Sequence, residues 1–138
     1  MTSPVLLDTG YIVALLDRSE GHHTSCVEVL QETKGSLITC EAVIAEACYL
    51  LRNVAGASQA ILANIETRRF QIPWHLSGHE KRVAHLMKKY QSVPMDFADA
   101  CLVAMAEQFR VGAILTLDSD FSVYRWGGKR TFKILSRE

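Results

Sequence analysis

No C-x-x-C pair joins any of the four cysteines, Cys26, Cys40, Cys48 and Cys101, and all four sit in largely apolar surroundings. This spacing argues against a zinc site or a disulfide framework and predicts buried free thiols. Apolar residues never run on for more than about seven positions, whereas a membrane-spanning helix needs ~20. The start of the chain has neither the basic stretch nor the small-residue cleavage site of a signal peptide, so a cytoplasmic protein without membrane association is expected. Linkers, internal repeats and low-complexity tracts are missing as well. The 138 residues therefore predict a single domain spanning 1–138, large enough to bury a core unaided.

An excess of charge is also missing, since fifteen Lys and Arg balance fifteen Asp and Glu. The balance conceals an asymmetry. Residues 1–50 hold seven acids and two bases, while residues 51–138 hold eight acids and thirteen bases. The basic residues of the second part include Arg68 and Arg69, Lys81 and Arg82, Lys88 and Lys89, and the set Arg125, Lys129, Arg130, Lys133 and Arg137. Such clusters suit either a polyanion-binding face or an ordinary solvated surface. The five histidines show no metal-type pairing, and no Ser/His/Asp or Cys/His arrangement stands out.

What is present is an alternation of short apolar runs with helical periods. Residues 5–7 read as a strand running into a turn and a helix from Tyr11 to Leu16. Residues 36–40, 70–74, 112–117 and 131–135 are further strand candidates, with Pro73 interrupting the second. Helical spacing covers 21–33, 41–53, 58–69, 77–91 and 96–109. Strands alternating with helices predict an α/β fold with a mainly parallel central sheet flanked by helices.

Acidic residues stand at the places where such a sheet would bind a ligand, just beyond the carboxyl ends of its strands. Asp8 follows the first strand and Asp118 follows the segment 112–117. Either could simply cap the helix that it precedes. Glu46 falls among Val43, Ala47 and Leu50 on one face of its predicted helix, where a desolvated carboxylate needs a partner or a metal. Asp99 interrupts an otherwise apolar run, with Asp96 placed as the N-cap before it. Asp8, Glu46, Asp99 and Asp118 together form a set of hard oxygen ligands suited to Mg²⁺, with Mn²⁺ as a substitute.

Four stretches carry a family resemblance: Leu7-Asp8-Thr9-Gly10 with its helix, Ala42 to Glu46, Ala98 to Ala104, and Leu115 to Phe121. In this order they resemble the PIN-domain nucleases, especially the small VapC-like toxins of toxin-antitoxin pairs. The resemblance implies a PIN-like α/β/α sandwich and Mg²⁺-dependent endoribonuclease activity. It places Asp8, Glu46, Asp99 and Asp118 as the acidic site, with Asp120 and Asp96 as secondary candidates and Thr9 and Thr116 as supporting hydroxyls. Gly10 departs from it, because many members carry Ser there. It further implies an RNA substrate, a protein antitoxin and a homodimer. The alternative is a catalytically inert PIN-fold module that binds RNA or protein. A receiver-type domain also gathers carboxylates at strand ends, but paired N-terminal acids and a suitably placed lysine are missing here.

Overall fold

The computed structural model describes residues 2–136. Five strands form one parallel sheet in the order β3-β2-β1-β4-β7. They are β1 (Val5–Leu7), β2 (Leu37–Ile38), β3 (Phe70–Gln71), β4 (Ala113–Leu115) and β7 (Lys133–Ile134). Six helices flank it: α1 (Thr9–Leu16), α2 (His23–Glu32), α3 (Glu41–Leu50), α4 (Ala57–Glu66), α5 (Glu80–Lys89) and α6 (Phe97–Phe109). This is the expected α/β architecture. No helix among the described residues is long and apolar enough to cross a membrane.

The central strands are short and wholly apolar because a parallel sheet is covered on both faces. Leu6 pairs with Ile38 on one side and Ile114 on the other, and all three are buried. Two helices separate β1 from β2, and two more separate β2 from β3. The chain then returns through α5 and α6 to place β4 on the opposite side of β1. The strand order thus reverses between β1 and β4, which opens a crevice at their carboxyl ends. Helix α6 lies deepest, with every residue from Ala98 to Ala106 buried. Its alanines let neighbouring elements approach closely, and α6 packs against both α3 and α5.

Several expected elements are shorter in the structure. The strand predicted at 70–74 stops at Gln71, before Pro73, which has no N–H for a ladder. The helix predicted at 41–53 ends at Leu50 in a turn. The last predicted strand, 131–135, divides at Phe132: β6 (Arg130–Thr131) pairs antiparallel with β5 (Arg125–Trp126), and only β7 joins the main sheet. The β5–β6 hairpin turns through Gly127 and Gly128, both at positive φ. Cys26, Cys40 and Cys101 are buried free thiols, while Cys48 is half-buried.

Candidate metal centre

Asp8 is the first residue past β1, and its backbone N–H donates to Leu115 O at 3.1 Å. That bond holds the ends of β1 and β4 together. The Asp8 carboxylate accepts from Thr9 N at 2.8 Å and from the Thr116 hydroxyl at 2.6 Å. Asp8 therefore caps α1 and also lines the depression at the crevice. The Thr116 hydroxyl in turn accepts from Asp118 N at 2.9 Å. One buried threonine thus ties the two strand-end aspartates together.

Asp118 caps the short 3₁₀ turn Ser119–Ser122, accepting from Asp120 N at 2.9 Å. Asp99 arrives from the first turn of α6. Asp96 caps that helix by accepting from Asp99 N at 2.8 Å, as its position suggested. Asp99 Oδ2 accepts from the Tyr124 hydroxyl at 3.2 Å. Asp8, Asp99 and Asp118 each present a carboxylate oxygen such that all three lie within 4.8 Å of one another.

The remaining predicted residues occupy different places. Glu46 lines the same depression, beside Leu50, but it is exposed and stands outside the three-oxygen cluster. Glu46 is not desolvated as expected, because its predicted stripe is only half covered: Val43 and Ala47 are buried, Glu46 and Leu50 are not. Asp96 lines the depression with one oxygen engaged as a cap. Asp120 is half-buried in the 3₁₀ turn and is not among the residues lining the depression. Thr9 lines it too; its hydroxyl is buried and has no hydrogen-bond partner among the described residues.

Burial and neighbouring acids disfavour the ionised forms of Asp8 and Asp99. Burial raises Asp8 to about 6, partly offset by the bonds from Thr116 and Thr9 and reinforced by Asp118 and Asp96. Asp99 is pushed up to about 8, first by burial and then by Asp96, Asp8 and Asp118, with the Tyr124 hydroxyl pulling the other way. A centre of this kind is poised to exchange protons for a cation. Tyr124 was not anticipated as a site residue. Nothing in the sequence marks it, since its role depends on the turn after Asp118 bringing it back beside α6.

A larger cleft, about 550 Å³, lies at the other end of the sheet between Leu15, Leu30, Arg68 and Phe70. No carboxylate lines it, so its size carries no metal chemistry.

The model of the PIN domain matches residues 5–127. The chain belongs to the PIN-domain family. Among curated proteins, this PIN domain is 28% identical over 134 residues to Ribonuclease VapC26 of Mycobacterium tuberculosis, covering 95% of this chain and 99% of that protein. Among solved structures, it is similar to VapC20 of Mycobacterium tuberculosis, described as a sarcin-ricin loop cleaving toxin. The TM-score is 0.81 at 19% identity, covering 91% of this chain and 98% of that one. At that identity the second likeness is one of fold.

Proposed function

We propose that this chain is a Mg²⁺-dependent endoribonuclease that hydrolyses RNA phosphodiester bonds, and that it is the toxin of a toxin-antitoxin pair. The observation that carries the reading is the convergence of Asp8, Asp99 and Asp118 at the β1/β4 crevice of a PIN domain. The likeness to a ribonuclease along nearly the whole chain supports it.

The residues present fit a divalent cation. The donor set is all oxygen, the carboxylates repel one another, and the Thr9 hydroxyl beside them lacks a partner. Asp8, Asp99 and Asp118 would hold the ion, with Glu46 and Asp96 beside them in the depression and Asp120 in the adjoining 3₁₀ turn as secondary acids. When bound, Mg²⁺ or Mn²⁺ supplies activation of water and stabilisation of charge on the phosphate. Thr116 keeps Asp8 and Asp118 in register, and Tyr124 orients Asp99. Hydrolysis without a covalent enzyme intermediate suits a site with no nucleophilic Ser, Cys or His among its lining residues.

By the same reading the chain is one domain across 1–138, acts as a cytoplasmic homodimer and is restrained by a protein antitoxin. Total cellular RNA incubated with the purified chain tests the catalytic part. Discrete fragments are expected with Mg²⁺ or Mn²⁺ and none with EDTA. Asp8→Asn and Asp99→Asn are expected to lower cleavage on the order of 10²-fold or more while the circular dichroism spectrum is retained. Unchanged cleavage by both variants defeats the reading. Growth arrest on expression, relieved by Asp8→Asn, tests the toxin part.

A further inference from the structure

The exposed face and last turn of α5 carry basic residues whose charges are not matched by carboxylates among the described residues. Among the described residues, Lys81, Lys88, Lys89 and Arg125 have no Asp or Glu oxygen within 4.0 Å. Lys81, His85 and Lys88 are spaced four and three residues apart on α5, and all three, like Lys89, are exposed. The nearby acids are otherwise engaged: Glu80 accepts from Gly78 N, and Glu107, which feels Lys89 at longer range, is held by both ends of Arg82. Asp120 acts on Tyr124 from its turn.

A short chain of contacts joins this surface to the centre. The Lys89 ammonium lies 5.3 Å from the Tyr90 ring, and Tyr90 stacks edge-on with Tyr124 at 5.1 Å. Tyr124 donates to Asp99. Arg125 N donates to the Tyr90 hydroxyl at 3.0 Å, which fastens the segment after Asp118 to the end of α5. The Arg125 guanidinium is held by one nitrogen, which donates to the carbonyls of Ser122, Val123 and Tyr124 at 2.9 to 3.0 Å. Among the described residues its other nitrogens make no hydrogen bond, so they stay free to donate to a phosphate.

We infer that the last turn of α5 and Arg125 form the phosphate-binding surface that holds an RNA strand against the acidic centre. The inference rests on the ribonuclease reading and adds to it the place where the substrate is gripped. A cluster of carboxylates repels a polyanion, so affinity has to come from neighbouring cations, and phosphate contacts supply most of sequence-independent binding. Lys89 is joined to Asp99 by this contact chain, Lys88 precedes it on the same exposed turn, and Arg125 follows Tyr124 with its backbone N–H donated to the Tyr90 hydroxyl. By contrast, Lys129 and Arg130 follow the hairpin turn at Gly127, whose N–H donates to Glu107, near the opposite end of α6 from Asp99.

The test is fluorescence anisotropy of a fluorescein-labelled single-stranded RNA, titrated with the full chain in EDTA over a range of KCl concentrations. Lys88→Gln with Lys89→Gln is expected to weaken binding about tenfold. It should also make the slope of log K against log salt shallower by about 1.4, two contacts at ~0.7 each on a single strand. Lys34→Gln with Lys129→Gln removes the same charge elsewhere and is expected to leave the slope unchanged. Equal effects from the two pairs, or none from the first, overturn the proposal, as does competition by polyglutamate equal to that of RNA at matched charge. A drop in melting temperature without a change in slope assigns the lysines to the helix end alone and overturns it too. In Mg²⁺, normal cleavage by the Lys88/Lys89 variant with unchanged KM removes this surface and leaves the ribonuclease standing. Lysine-dependent binding by a wild-type chain that never cleaves removes the ribonuclease and keeps the surface.

Discussion

Thr116 shows how little is needed to assemble the centre. Its one hydroxyl donates to the Asp8 carboxylate and accepts from Asp118 N, so the Asp8 side chain and the Asp118 backbone are held by a single buried group. Thr116→Val keeps the shape and removes both bonds. It should destabilise the fold by about 1–3 kcal/mol in chemical denaturation, and the Asp8 carboxyl should titrate above its wild-type value, because the lost bond lowers it. NMR titration of the carboxyl carbon measures the second effect. The raised values of Asp8, about 6, and Asp99, about 8, also set the direction of proton linkage in metal binding. A cation must displace protons from these groups, so Mn²⁺ affinity measured by calorimetry should rise between pH 6 and pH 8. The rise should be smaller in Asp99→Asn.

At the scale of elements, two glycines behave in opposite ways. Gly10 occupies the first turn of α1, and a Cβ built there meets nothing within 4 Å. Gly10→Ala should therefore stabilise the protein by roughly 0.5–1 kcal/mol through reduced chain entropy and better helix propensity. Gly112 precedes β4, and a Cβ there would come within 2.7 Å of Trp126 Nε1, which donates to Thr131 O. Gly112→Ala should cost roughly 1–3 kcal/mol by pushing the β5–β6 hairpin away from the sheet. Thermal unfolding of the two variants side by side checks both signs.

Across the whole molecule, the acidic centre works against the fold that builds it. Asp8 and Asp99 bind protons more tightly when folded than their ordinary carboxylate value of 3.8. Between that value and their folded values the native state holds more protons than the unfolded chain, so stability falls as pH rises. In EDTA the melting temperature should decline from about pH 4 to about pH 8 for this reason. Mg²⁺ or Mn²⁺ should offset the decline, since an ion bound only by the folded state stabilises it by mass action. Asp99→Asn should flatten the profile without metal. A melting temperature that climbs steadily over that range in EDTA would contradict the electrostatics described here.

The sequence by itself determined the class of the fold and three residues of the cluster. Apolar triplets such as Val5–Leu7 suit a parallel sheet covered on both faces, and an aspartate directly after such a strand lands at its ligand-binding end. Asp99 stood out because a carboxylate inside an apolar helix needs a reason. Local pattern did not determine which acids converge. Glu46 seemed desolvated by helical period, yet its face is left partly open, because period tells which residues share a side and not what covers that side. Tyr124 has no signal at all, since its bond to Asp99 joins segments 25 residues apart. The β5–β6 hairpin was hidden in the same way, its two-residue strands being too short to show a period. Tertiary structure alone decided the reversal of strand order between β1 and β4, and with it the distance between three like charges, because that distance depends on how α5 and α6 carry the chain back across the sheet.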